Sequence, residues 1–391
     1  MKKFFIVSIL TYLLFTINST TTAQSLENEV PENEKVLKIG VLLPLSGEFQ
    51  YLGESFLKAV QLAVHDIENE NIKIYPKDSK ANSLDSYLAA KEFENQGIKI
   101  VIGPIFFDCL EKLNEINNIT FISLTNKINK IPKNTITFGI NINSQINSIE
   151  NHFDKIKVSK TLLLSPKTYY ADQVKIISQS KLNFYKTFLY DTSPKKITGE
   201  IEKLTNYRER KKDLERRIKI LEKSDLYKDK KELEKLNQMH TLGKIKFDSV
   251  VVVDFGERLK SVLTSLIFSD ISSQKVNFFT VNQWFDKTLF EESAIQNLHF
   301  PSINLKNLKK YEKNYFKRYG EIPDQISILA YDALGLIYYC WINNDFHFKT
   351  TQLYNKEGFK GLHGEFVIKN NISNQKLKIY KVFEKKFIEV N

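Results

Sequence analysis

The chain has 391 residues, 42% of them hydrophobic and 26% charged, with a formal net charge of +11 at pH 7. That length supports two lobes, each with a core of its own. The basic surplus is spread along a Lys- and Asn-rich sequence without a clustered basic and aromatic face, which excludes nucleic acid as a partner and leaves only weak attraction to anionic surfaces.

Lys2 and Lys3 precede an apolar run over residues 4–17, and Thr21-Thr22-Ala23 then places small residues where a signal peptidase reads. The run is shorter than the ~20 apolar residues a membrane span needs, so residues 1–23 read as a cleaved secretory signal and the chain as periplasmic. No cysteine follows the run, so no lipid anchor is expected.

Residues 36–43 form an unbroken apolar strand pattern that stops at Pro44-Leu45-Ser46-Gly47. In the helix expected over 54–68, Leu57, Val60, Val64 and Ile67 recur at helical spacing. Further strands are expected at 72–76, 98–102 and 120–124, with helices at 84–96 and 106–117. Continuous rather than alternating apolar strands mean that helices cover both faces of a mainly parallel sheet. The pattern restarts with strands at 161–164 and 184–189 around a helix over 171–181.

Residues 202–235 then hold 22 charged side chains, 13 basic and 9 acidic. Leu214, Ile218 and Leu221, with Leu233 and Leu236 after a break near Ser224-Asp225, give two helices a thin apolar stripe each. This block reads as an exposed helical hairpin, either a solvated ornament or a docking arm. Strands return at 249–253 and 276–281, with a helix to residue 268 between them. The tail carries a helix over 308–319, an amphipathic helix over 325–341, and strands 359–368 and 376–383 closing as a hairpin with a turn near Asn370-Asn371.

Cys109 and Cys340 are the only cysteines and both lie in apolar helical patterns, which favours buried free thiols over a disulfide. His65, His152, His240, His299, His347 and His363 show no pair at helical i, i+4 spacing, so no zinc site or other metal is signalled. There is no GxSxG elbow, phosphate-binding glycine loop or GxGxxG run, and neither cofactor nor catalysis is expected.

In sheets of this kind ligands meet the carboxyl ends of the strands. Those ends carry Leu45-Ser46-Gly47, Gly103-Pro104-Ile105-Phe106 and Ser123-Leu124-Thr125-Asn126. Ser46 either reaches a ligand or bonds within its turn. Ser123 and Thr125 are stronger candidates, and Asn126 is a candidate turn cap. Asp254 and Glu257 could pair for acid/base work, but a helix cap by Asp254 and an ion pair to Arg258 are the favoured reading.

The order and spacing of Ile39-Gly40-Val41-Leu42-Leu43-Pro44-Leu45-Ser46-Gly47, Ile102-Gly103-Pro104, Ser123-Leu124-Thr125-Asn126, Tyr319-Gly320 with Pro323, Ala330-Tyr331-Asp332-Ala333 and Gly358-Phe359-Lys360-Gly361 with Gly364 resemble the type I periplasmic solute-binding fold of leucine/isoleucine/valine-binding proteins. The charged insertion, Thr241-Leu242-Gly243 and the stretch from Phe247 to Leu259 are most similar to the penicillin-binding-protein activator branch. The resemblance implies a two-lobed α/β protein, with lobe 1 over 36–154 and 304–350, lobe 2 over 155–303 and 351–391, and the hairpin inserted at 199–240. Ser123 and Thr125 match the family's second ligand-holding loop and Tyr169 or Tyr170 its aromatic on the opposite lobe; with Ser46, Gly103 and Pro104 of the rim, and Asp254, they are the expected ligand contacts. Amino-acid binders of the family carry a hydroxyl just after the Gly-Pro loop to hold the ligand's α-carboxylate. Here that region is Ile105-Phe106-Phe107-Asp108, whose acidic residue would repel a carboxylate. The implied role is non-enzymatic regulation of a peptidoglycan synthase by contact, by a monomer or weak dimer. The alternative is an amino-acid or amide receptor serving the membrane subunit of an ABC transporter.

Overall fold

The structure, a computed structural model, describes residues 35–167, 174, 177–180, 182–282, 284 and 293–390. The expected signal, Tyr169, Tyr170 and most of the helix expected over 171–181 lie outside the described residues.

Strand β1 (Leu37–Leu43) is buried at every position except Lys38, as a strand covered on both faces must be. It pairs in parallel with β2 (Ile72–Asp78) and β3 (Ile100–Ile102). Helix α1 (Gln50–Ile67) and α2 (Ser83–Asn95) connect these strands. The Asn82 side chain caps α2 by accepting the Asp85 N–H. Strands β4 (Thr120–Ser123) and β5 (Thr135–Thr137) extend the sheet in parallel.

The helix expected over 106–117 is instead two 3₁₀ turns, Phe107–Leu110 and Leu113–Glu115. Cys109, Leu110, Leu113 and Ile116 still point inward. The Asn134 carboxamide donates to the Leu113 and Ile116 carbonyls at 2.8 and 2.6 Å, taking acceptors that a continuing α-helix would use.

The chain crosses to the second lobe at residues 139–141 and enters α3 (Ile142–Ile156), capped by Asn141. Strands β6 (Thr161–Pro166), β7 (Phe184–Tyr190), β8 (Ser249–Val252), β9 (Asn277–Thr280) and β10 (His299–Ser302) form a second parallel set. Helix α4 (Pro194–Leu204), which the polar sequence around it conceals, buries Ile197 and Ile201. The hairpin is α5 (Tyr207–Leu221) and α6 (Tyr227–Leu236), so residues 199–204 belong to α4 rather than to it. Helix α7 (Gly256–Phe268) follows β8.

The chain returns to the first lobe through α8 (Leu305–Tyr319) and α9 (Ile328–Ile342). Helix α9 is not amphipathic, because ten of its residues from Ile328 to Trp341 are buried around the helix. Among the described residues, Gln325–Ile342 is long and apolar enough to cross a membrane, but 61% of it is buried inside the protein, as befits a core helix.

The tail differs from the expected hairpin. Around Asn370-Asn371, β12 (Glu365–Lys369) pairs with β13 (Ile372–Lys376), and with β11 (Phe359–Lys360) they close the first sheet. Only β14 (Lys378–Phe383) and β15 (Lys386–Val390) join the second sheet. The return to the second lobe therefore falls at Leu377, not at residue 351. The sheets run β11-β12-β13-β5-β4-β3-β1-β2 and β15-β14-β10-β9-β8-β6-β7, a two-lobed type I periplasmic-binding fold with three crossings.

Both cysteines are buried free thiols. Burial pushes the Cys340 thiol up to about 12 and raises that of Cys109.

Under α3, His299 stacks on Phe279 with ring centroids 4.8 Å apart and lies 6.0 Å from His152. Burial pushes the His299 pKa down to about 4, and His152 and Lys381 act in the same direction. The folded chain thus refuses a proton that the unfolded chain accepts below pH ~6.5. Its stability contribution is complete above that pH and is lost as pH falls toward 4. Melting temperatures recorded from pH 7 to 4 should show this acid limb, and His299→Phe should flatten it; an unchanged limb would exclude His299 as its source.

Candidate functional site

Because β1, β3, β4 and β5 run parallel, their carboxyl ends share one rim. Facing it from the second lobe is the loop after β9. A cavity of ≈310 Å³ lies between them, lined among others by Ile105, Phe106, Thr125, Lys127, Ile140 and Trp284. This is at the small end of the range for ligand pockets, roughly 300–1,000 Å³. Phe106 packs on Phe49 with centroids 4.7 Å apart, and the Lys127 ammonium sits 4.8 Å above the Phe107 ring. The two phenylalanines wall the cleft, and Trp284 closes it from the other lobe. A wider, open groove of ≈1100 Å³ lies elsewhere on the first lobe, beside the two 3₁₀ turns.

Most polar groups expected to hold a ligand are committed to the protein. The Ser46 hydroxyl donates to Asp78 Oδ2 at 2.5 Å, and the Leu45 N–H donates to Asp78 Oδ1 at 2.8 Å. Burial would raise the Asp78 carboxyl, but the bonds from Ser46 and from the Lys80 and Leu45 N–H groups outweigh it and hold it below the usual carboxylate range. Gly103 has φ +106°, and a Cβ there would stand 2.1 Å from the Leu42 carbonyl oxygen. Its conformation serves strand packing. Pro104 follows a cis peptide, and its carbonyl accepts the Ser123 hydroxyl at 2.9 Å. Ser123 is fully buried. Thr125 is buried too, yet it lines the cavity, with Oγ1 accepting the Lys127 N–H at 3.3 Å.

Asp254 is fully buried at the end of β8. Its carboxylate accepts the Tyr190 hydroxyl at 2.5 Å and the Phe255 N–H at 2.8 Å, and pairs with Arg258 at 2.9 Å. The ion pair matches the favoured reading, although the residue at the cap position of α7 is Phe255. Glu257 pairs with Lys260 instead of Asp254. Among the described residues no group of three or more His, Cys, Asp or Glu side chains could hold a metal.

The crossings carry buried polar residues that sequence reasoning missed. Gln375 donates its carboxamide to the Phe138 and Gly139 carbonyls, both at 3.1 Å, and accepts the Ser144 hydroxyl at 2.8 Å. Asn141 donates to the Ser373 carbonyl at 2.6 Å. The available signal was the polar run Ser373-Asn374-Gln375 inside a strand. Asn282, after β9, donates its N–H to Gln145 at 2.7 Å and its carboxamide to Ser302 at 3.1 Å. Near the remaining crossing, Asp332 accepts the Leu362 and His363 N–H groups at 2.8 and 2.7 Å and contacts His363 Nδ1 at 2.5 Å. The His363 carbonyl in turn accepts the Asn304 N–H at 3.2 Å, next to the α8 start. A Cβ on Gly361 would stand 2.5 Å from Asp332 Oδ2.

At the hairpin's base, buried Arg210 donates to the Thr205 and Ser269 carbonyls at 3.1 and 2.6 Å and to the Thr241 hydroxyl at 2.9 Å. Burial lowers its pKa, an effect Asp270 opposes. Thr241-Leu242-Gly243 is thus the socket for this side chain. Beyond it, Leu214, Leu221 and Leu236 form a small core with Ile218, Leu233 and Leu242, the stripe expected from the spacing.

Fold and cleft together define a two-lobed protein of the periplasmic-binding class. A family profile described as "LppC putative lipoprotein" matches residues 25–233, more than half of the chain, and the chain belongs to this family. The C-domain of LpoA (YraM) from Haemophilus influenzae, a regulator of PBP1A, is similar at 17% identity and a TM-score of 0.61, covering 90% of this chain and 100% of that domain. Full-length LpoA from the same organism gives 16% identity and a TM-score of 0.61, with 91% of this chain and 59% of that one covered. The isoleucine complex of LivJ, a branched-chain amino acid transporter substrate-binding protein from Streptococcus pneumoniae, gives 16% and 0.53, covering 91% and 100%. At these identities the structures establish the fold. No curated protein sequence matches the chain.

Two substitutions test the structural reading of these residues. Ser123→Ala should cost about 0.5–1.5 kcal/mol in urea unfolding, by removing a buried bond to the Pro104 carbonyl, which keeps the Leu124 N–H; a variant as stable as the parent would return Ser123 to the ligand candidates. Gly361→Ala should cost about 2 kcal/mol, because the added methyl displaces the Asp332 carboxylate, and an unchanged denaturation midpoint would disprove that account.

Proposed function

We propose that this chain is a non-enzymatic, envelope-associated periplasmic protein that regulates a peptidoglycan synthase of the PBP1A kind by direct contact. Membership of the LppC family and the likeness to the LpoA C-domain support the reading. The observation that carries it against a receptor role is the state of the cleft. Ser46, Ser123 and Asp254 spend their polar atoms on Asp78, Pro104 and the Tyr190 and Arg258 pair. The small cavity that remains is walled by Phe106, Phe107 and Trp284. Asp108, Asn126 and Lys127 also line this cavity, so what disfavours a receptor is the engaged strand-end groups and the aromatic walls, not a lack of charge.

A receptor saturated at 100 times its dissociation constant gains ~2.7 kcal/mol of stability. Thermal melts with each common amino acid should therefore leave this protein unchanged, while immobilised chain should retain a PBP1A-type synthase from detergent solution and raise its polymerisation rate. A clear upward shift with any amino acid, together with no synthase retention, would replace the regulator by a transport receptor.

A further inference from the structure

The tip of the charged hairpin goes beyond that reading and stands independently of it. Helix α5 has 15 residues, a length of ~22 Å at 1.5 Å per residue. Arg210 fixes it to the lobe near its start, and further along Arg217 holds Glu232 of α6 through two bonds of 3.0 Å each. With its own leucine core, the hairpin is a stiff arm.

The far end of this arm is where apolar side chains stand in water. Tyr227 is 83% exposed, Leu226 67% and Ile220 57%. Leu226 lies at the end of the turn between the two helices, Tyr227 opens α6, and Ile220 is the last residue but one of α5. Around them stand the exposed cations Lys219, Lys223, Lys228, Lys230 and Lys231. The acidic residues nearby are Glu222, Asp225 and Asp229, and Asp229 is engaged by the Ser224 hydroxyl. Arg216 and Arg217 are paired with Asp213 and Glu232, and residues 219–231 beyond them hold five Lys against three Asp or Glu, so the tip carries a net charge of +2 around an apolar point.

Such a surface suits one kind of partner better than another. A stable protein interface buries about 800 Å² per partner around a packed centre, which a convex tip with three apolar side chains cannot supply. An anionic lipid surface needs no shape match. It attracts lysines through its surface potential, and its headgroup layer accepts the ring of a tyrosine with the hydroxyl still wet. We propose that the hairpin tip, through Ile220, Leu226, Tyr227 and the surrounding lysines, docks on an anionic membrane surface and so sets the lobes at a fixed height above the lipid.

The test is flotation of the chain beginning at Gln24, which contains every described residue, with vesicles of phosphatidylcholine alone or with 40% phosphatidylglycerol. Binding should require phosphatidylglycerol and should weaken as salt is raised. Leu226→Asp combined with Tyr227→Asp should reduce it at least on the order of tenfold, and Lys223→Gln with Lys228→Gln by a similar factor. All four positions are exposed, so melting temperatures should match the parent and a folding defect would be visible as a separate change. Absence of binding to anionic vesicles, equal binding to neutral ones, or binding indifferent to all four substitutions would overturn the proposal. So would loss of synthase retention in these variants without any vesicle binding by the parent, which would make the tip a protein contact. Synthase activation itself can stand or fall without altering the vesicle result.

Discussion

Two sheets that share no strand are held in one arrangement by hydrogen bonds buried where the chain passes between them. Gln375 carries the largest share. Its single side chain joins the exit from β5, the start of α3 and the strand leading to the second sheet. At the crossing into α8 the Tyr380 hydroxyl of β14 accepts the Leu305 N–H at 3.1 Å, while Asp332 organises Leu362 and His363, whose carbonyl meets Asn304, within the first lobe. Removing one partner from such a set leaves another buried group without a bond, at a cost of about 1–3 kcal/mol. These bonds add polar specificity to an apolar core that itself runs through both lobes, since one cluster holds Val41 and Phe138 of the first together with Leu164 and Val252 of the second.

The same economy explains the cleft. Here Ser46 and Ser123 bond to Asp78 and Pro104, and Asp254 is neutralised by Arg258 while holding Tyr190. What remains is a small cavity whose aromatic walls, Phe106, Phe107 and Trp284, stand beside Asp108, Asn126 and Lys127. The part that departs most from the two-lobed fold is the arm that Arg210 plugs into the second lobe.

Much of this was legible in the sequence for a simple reason. Both-face burial forces strands such as β1 and β8 to be continuously apolar, and a two-helix arm with no other support must carry its own leucine stripe, so Leu214, Leu221 and Leu236 identified the hairpin directly. Helix α4 was concealed because Ile197 and Ile201 are its only fully buried isoleucines within a polar stretch. The segment after Gly103-Pro104 has helical spacing but forms 3₁₀ turns, since the Asn134 carboxamide, distant in sequence, claims its carbonyls.

The sequence alone therefore determined the two-lobed class, the run of strands and helices through most of the chain, and the arm, because each follows from local periodicity and from how many faces an element must bury. Only the tertiary structure decided that β11 to β13 close the first sheet while β14 and β15 close the second, that Asp332 needs Gly361 beside it, and that the Ser46 and Ser123 hydroxyls donate to Asp78 and Pro104. Those outcomes depend on which distant carbonyl, carboxylate or amide arrives within 3 Å of a given side chain, and spacing along a chain carries no record of that.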